Sequence, residues 1–133
     1  MKLTRVIYEL FESDARRLDA DPIARIHEID GEIRLIDEEG KSTFISWCRD
    51  PVQFAVGIAD ASFNIAPCGV SRDMGGSEFW KQLVGKDVGL NFEGSNHQVL
   101  KIGSDHQEVY CWTSAFSDEG EDVLYISTER PSP

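Results

Sequence analysis

Short runs in which large apolar residues alternate with polar or small ones recur along this chain, separated by turns rich in glycine and aspartate. Val88, Leu90 and Phe92 alternate with Asp87, Gly89, Asn91 and Glu93. That period of two sets one face of a β-strand against a core and leaves the other to solvent. Past Pro51, Val52, Phe54, Val56 and Ile58 alternate with Gln53, Ala55, Gly57 and Ala59, which reads as a strand with one large and one small face. Thr43–Trp47, Gln98–Ile102, Glu108–Phe116 and Val123–Thr128 read as further strands. A chain punctuated this way builds antiparallel meanders. Its 133 residues amount to a single domain, and 7 Phe, 3 Trp and 3 Tyr within a 41% hydrophobic composition suffice for a core. The expected class is α+β, mostly antiparallel meanders with one short helix at 77–84. In that helix Ser77 is the cap, Phe79, Trp80 and Leu83 fall on one face, and Gly85 is the terminator.

The sharpest local signal is Ile26-His27-Glu28-Ile29-Asp30-Gly31-Glu32-Ile33-Arg34-Leu35. Asp-Gly between two such runs favours a two-residue type I′ hairpin, whose turn positions both need positive φ. The hairpin sets Ile29 opposite Glu32 and Ile26 opposite Leu35. A helix through Ile23, Ile26, Ile29, Ile33 and Ile36 has workable spacing, but a central Gly31 costs it about 1 kcal/mol relative to Ala. The hairpin is the better reading. Near the start, Arg5-Val6-Ile7-Tyr8 is β-prone, although Val6, Ile7, Leu10 and Phe11 also suit a helical face. A strand followed by a helical or irregular stretch around Ala15–Leu18 reconciles the two. Residues 61–76, with Pro67, Gly69, Gly75 and Gly76, form the longest irregular stretch. The segments on either side echo each other. Ile23–Ile26, Glu32-Ile33, Glu39-Gly40 and Phe44-Ile45-Ser46 parallel Val99–Ile102, Glu108-Val109, Glu119-Gly120 and Tyr125-Ile126-Ser127. The echo suggests two related halves, 1–60 and 86–129, joined by 61–85.

Charge narrows the partners. Against 13 Lys and Arg stand 24 Asp and Glu, a formal net charge of −11. Nucleic acid is disfavoured, because affinity for phosphate backbones comes mainly from Lys and Arg. No apolar run reaches the roughly 18 residues of a membrane span. Met1-Lys2-Leu3-Thr4-Arg5 meets charge too early for a signal-peptide core, and three cysteines without a CxxC pair fit a reducing compartment. The sequence therefore points to the cytoplasm; it is silent on oligomeric state. Ile102–Glu129 contains no Lys or Arg, and its acidic turn Asp118, Glu119, Glu121 and Asp122 reads either as a docking edge for a basic protein or as a solubilising surface. Tyr110 and Trp112 are the aromatic residues placed to add contact energy.

Candidates for chemistry are sparse. Cys68, in Ala66-Pro67-Cys68-Gly69-Val70, is the best nucleophile on offer, and His27, His97, His106 and Arg72 are its only plausible helpers. A reactive thiolate needs such a helper to depress its pKa, and no spacing ties one to Cys68, so an ordinary loop cysteine is the better reading. Ser95-Asn96-His97-Gln98 and Ser104-Asp105-His106-Gln107 look like a repeated metal motif. A turn at 103–105 separates the two imidazoles by on the order of 15 Å of strand, far beyond the ~2 Å reach of zinc ligands. The acidic turn lacks the alternating oxygens of a calcium loop, and Gly69–Gly76 lacks the Gly-Lys-Ser/Thr ending of a phosphate loop. No metal and no cofactor is expected.

From Phe79-Trp80 through Leu83-Val84-Gly85-Lys86 into Val88 and Val99, the chain resembles small, acidic, β-rich bacterial domains of uncharacterised function. Some of these are suspected immunity proteins encoded beside polymorphic toxins. The resemblance implies a bacterial partner-masking protein that works by charge and shape complementarity, and it carries no functional residue across. The leading expectation is a non-catalytic partner-binding protein, with toxin neutralisation as its most specific form. A small enzyme using Cys68 and a ligand-binding domain with a pocket between the halves are the alternatives.

Overall fold

The computed structural model describes residues 1–49, 54–94, 97–113 and 122–131. Its elements run β1 (Leu3–Leu10), α1 (Glu12–Ala20), β2 (Ile26–Ile29), β3 (Glu32–Asp37), β4 (Ser42–Cys48), β5 (Ala55–Ala59), β6 (Val70–Asp73), β7 (Gly89–Glu93), β8 (Val99–Ser104), β9 (Gln107–Thr113) and β10 (Leu124–Ser127). Two five-stranded antiparallel sheets result, in the orders β5-β4-β3-β1-β6 and β2-β10-β9-β8-β7. The α+β class with dominant antiparallel strands therefore holds. One cluster of buried side chains draws on both sheets. It includes Val6, Tyr8 and Leu10 of β1, Ile33 and Leu35 of β3, Leu100 and Ile102 of β8, and Leu124 and Ile126 of β10. Spacing by two places each set on one face of its strand. Among the described residues, no helix is long and apolar enough to cross a membrane.

The Asp30-Gly31 hairpin does not form. Neither residue adopts positive φ, and the strands on either side belong to different sheets. β2 pairs with β10, Ile29 facing Leu124 and Ile26 facing Ser127, while β3 runs between β1 and β4. The chain instead crosses between sheets here, held by the carboxylate of Asp14 on α1. Asp14 is fully buried and accepts from the backbone N–H of Asp30 (2.9 Å), Gly31 (3.1 Å) and Phe11 (3.1 Å). The Gly31 carbonyl accepts from Ser46 Oγ at 2.8 Å. Glycine is required for space: a Cβ at Gly31 would lie 1.9 Å from the carbonyl oxygen of Glu9.

The regular helix is α1, where Asp14, Ala15 and Leu18 share the inner face. The expected helix at 77–84 coils through turns instead. Lys81 N–H reaches the Ser77 carbonyl and Val84 N–H the Trp80 carbonyl, as in an α-helix, but Leu83 N–H closes a tighter turn on the same Trp80 oxygen. The reason lies at the expected cap. Ser77 Oγ donates backward to the Met74 carbonyl at 2.7 Å, and among the described residues no amide of the next turn donates to it, so the side-chain cap is not made. Trp80 and Leu83 are nevertheless buried, with Phe79 packed against the core, and Gly85 ends the segment at φ 89°.

Smaller departures follow from edges. Val88, just before β7, is buried, whereas Leu90 and Phe92 on β7 are only partly covered, because β7 is the outermost strand of its sheet. β5 begins at Ala55, after Phe54 at φ 63°. Residues 52–53 and 114–116 of the expected strands lie outside the described residues. Strands of the two sequence halves interlock: β2 from the first lies in the sheet of β7–β10, and β6 from the connecting segment lies beside β1.

Candidate functional site

A groove of about 900 Å³ opens where α1 hands over to β2, beside the end of β6, the 76–79 turn and the segment after β10. That lies in the range of about 300–1,000 Å³ typical of ligand sites. Its walls are largely apolar, from Leu18, Ile26, Met74, Phe79 and Trp112. Two isoleucines of the lining are exposed: Ile23 by 88% and Ile26 by 45%. Strand geometry explains Ile26. Ile26 and Ile29 are three residues apart, so they point to opposite faces of β2. Ile29 takes the core, and His27 shares its inward side.

His27 forms part of the groove lining although only 7% exposed. Its ring stacks on Phe79, centroids 4.0 Å apart, and its Nδ1 lies 2.8 Å from Tyr8 Oη. The indole Nε1–H of Trp80 donates to the same oxygen at 2.8 Å. An indole N–H can only donate, so Tyr8 Oη accepts from Trp80, and its own O–H is available to donate to His27 Nδ1, a bond that goes with the neutral Nε2–H tautomer. Burial lowers the imidazole pKa from 6.5 to about 4, which keeps the ring neutral at physiological pH. Burial likewise pushes the Tyr8 hydroxyl up, against the lowering effect of the Trp80 bond. Nε2 has no partner among the described residues, and no sealed side-chain nitrogen or oxygen lacks one. Nε2 is therefore not sealed in the core, and His27 belongs to the groove lining.

The charged residues of the lining fall into two groups. Arg72 pairs with Asp19 at 3.1 Å, Arg130 with Glu93 at 2.8 Å, and Glu78 with Lys81 at 2.8 Å. The side chains of Asp21, Arg25 and Glu129 also line the groove and make no ion pair or hydrogen bond among the described residues.

The residues expected from sequence are scattered. Asp118, Glu119 and Glu121 lie outside the described residues. Asp122 is held by Arg49 at 3.3 Å. Tyr110 is 4% exposed, its hydroxyl donating to Glu108 at 2.5 Å and its ring beneath Arg130. In the free protein its ring is covered. Trp112 is half-buried and reaches the groove, with Nε1–H donating to Ser127 Oγ at 3.0 Å.

Among the described residues no cation or base lowers the pKa of Cys68. Burial comes first among the causes that raise its pKa to about 11, followed by the charges of Glu32, Glu9, Asp14 and Asp30. Every named charge is a carboxylate, the opposite of what a catalytic thiolate needs. His97 stacks on Phe92 before β8 begins, and His106 sits in the turn after β8 ends, so the strand separates them. Among the described residues, no group of three or more His, Cys, Asp or Glu is placed to hold a metal ion. Sequence reasoning considered His27 only as a helper to Cys68 and missed Ile23, Ile26, Phe79 and Arg25 as a site. The three-residue spacing of Ile26 and Ile29 in a strand was the available signal.

Comparison of the chain with models of protein families, with curated proteins and with solved structures yields no match.

Proposed function

We propose that this chain is a non-catalytic binding protein and that the groove beside β2 is where it holds a basic protein partner. Neutralisation of a toxin is the most specific form of this reading. The observation that carries it is the pair of exposed isoleucines, Ile23 and Ile26, at an apolar groove on a chain of formal charge −11. Covering such side chains is worth about 1.5–3 kcal/mol each, which supplies contact energy. The acidity supplies attraction at a distance, effective over about 8 Å at physiological salt and about 30 Å at 0.01 M. The surroundings of Cys68 speak against the enzyme alternative.

The test is calorimetric titration with the polypeptide encoded beside this gene. The double variant Ile23→Asp/Ile26→Asp should weaken binding more than about tenfold, while Ile65→Asp, at an exposed position outside the groove lining, should leave it unchanged. Undiminished binding by the double variant removes the groove from the reading. No binding by the wild-type protein removes the toxin form of it.

A further inference from the structure

An apolar slot alone would accept almost any greasy side chain, but this groove carries polar instructions as well. His27, stacked on Phe79, belongs to its lining, and the ring nitrogen Nε2 has no hydrogen-bond partner among the described residues. Two carboxylates without protein partners among the described residues, Asp21 and Glu129, come from different segments of its lining, against a single uncommitted guanidinium, Arg25.

We infer that the occupant is an extended peptide segment of the partner. A large apolar side chain packs against Phe79 and Ile26, a backbone carbonyl accepts from His27 Nε2–H, and flanking Lys or Arg residues pair with Asp21 and Glu129. This rests on the binding reading above and specifies the chemistry of what is bound.

The neutral imidazole selects the carbonyl. A carboxylate guest would be held best by an imidazolium, and burial against Phe79 opposes that charge. A peptide carbonyl needs only the N–H, and it satisfies a donor that a purely apolar guest would strand in a dry site. Charge selects the flanks. Two uncommitted carboxylates outnumber the one guanidinium, and the net charge of −11 repels an anionic guest. Size selects a segment over a lone side chain, since about 900 Å³ is at the upper end of the ligand-site range.

Two capped pentapeptides, acetyl-Lys-Leu-Phe-Leu-Lys-amide and acetyl-Glu-Leu-Phe-Leu-Glu-amide, together with decanoate as a small amphiphile, are titrated into the full chain at low salt. Side-chain resonances of His27 are followed by NMR. The basic peptide should bind about tenfold more tightly than the acidic one and shift the His27 Nε2–H signal. Asp21→Asn/Glu129→Gln should shrink that preference to about threefold or less, with an unchanged melting temperature. Glu38→Gln/Glu39→Gln makes the same change in net charge in the β3–β4 turn and should leave the preference intact.

Equal loss in the two variants means that only net charge matters, and the inference falls. Equal affinity for both peptides, no binding of either at millimolar concentration, or tighter binding of decanoate also overturns it. So does a concentration-dependent dimer that buries the groove and that peptide does not displace, which makes a second copy the occupant. These failures leave the binding reading standing as long as Ile23→Asp/Ile26→Asp still blocks the partner. If that variant binds the partner normally, reading and inference fall together.

Discussion

The two ends of β2 bury polar groups in opposite ways. At its C-terminal end, Asp14 is fully buried, and its carboxylate is saturated by three backbone amides, with Arg17 3.6 Å away. At its N-terminal end, His27 is almost as deeply buried, yet among the described residues only one ring nitrogen has a hydrogen-bond partner. The first arrangement is closed: it fixes where the chain crosses between sheets and leaves nothing to offer a ligand. The second is closed on the core side, through Tyr8 and Trp80, and open on the groove side. Burial of a polar residue is therefore no mark of a site; an unspent hydrogen-bonding valence at a cavity wall is.

The strongest way to break this contrast is at the closed end. Gly31→Ala forces a Cβ to within 1.9 Å of the Glu9 carbonyl oxygen unless backbone moves, and it should cost about 4 kcal/mol or more, or prevent folding. Asp14→Ala strands the amides of Phe11, Asp30 and Gly31 and should cost about 3–5 kcal/mol. Urea denaturation followed by tryptophan fluorescence reads both. If either substitution costs less than about 1 kcal/mol, the crossing relaxes easily and is not a fixed point of the fold.

The open end should show itself through pH. His27 has its pKa lowered to about 4 in the folded protein, against about 6.5 in an unfolded chain. Between those values the unfolded chain binds more protons, so stability rises with pH. The contribution is fully present above about pH 6.5, falls away as pH drops through 4, and amounts to about 3 kcal/mol. Asp30, whose pKa burial raises, acts in the opposite sense, so the contrast between wild type and His27→Gln is the informative measurement. The difference between their unfolding free energies should change across pH 4–6.5 and be flat above it. A flat difference throughout would mean that the imidazole is as well solvated folded as unfolded.

The same contrast separates what sequence could reveal from what it could not. Alternation at Val88–Glu93 and the apolar runs around Ile102 and Ile126 announced strands, because period-two patterning is written locally. Gly31 misled because glycine answers two different needs. It permits positive φ, which the hairpin reading invoked, and it permits close approach of backbone, which is its role against Glu9. Nothing near Ile26–Ile29 encodes a partner strand at Leu124–Ser127, nor an aspartate on α1 that claims the turn amides. The 77–84 segment misled because Ser77 satisfies itself backward on Met74. The candidate site was half legible. Ile26 had to face outward once β2 was a strand, but the Trp80–Tyr8–His27 relay joins three segments distant in sequence, and only tertiary packing brings them together.

Cys68 gives the smallest effect and the cleanest decision between binding and catalysis. A thiol with its pKa near 11 is thiolate in about one molecule in ten thousand at pH 7, whereas a free cysteine near 8.5 is a few per cent thiolate. Labelling of Cys68 by a thiol reagent should therefore be slow at pH 7 and rise about tenfold per pH unit until denaturation intervenes. Glu32 is the first charge among the causes, after burial. Its carboxylate also accepts from Ser62 Oγ at 2.5 Å, Phe63 N–H at 2.9 Å and Asn64 Nδ2–H at 3.2 Å, which positions the loop leading toward Cys68. Glu32→Gln removes one repelling charge and should speed labelling at fixed pH, provided the melting temperature shows that the loop is still in place. Cys68→Ala should change stability by less than about 1 kcal/mol, because the thiol is only half-buried and outside the core cluster. Rapid labelling at pH 6 would reverse the assignment, because it would require a cation beside the sulfur, whereas every charge that shifts its pKa is a carboxylate.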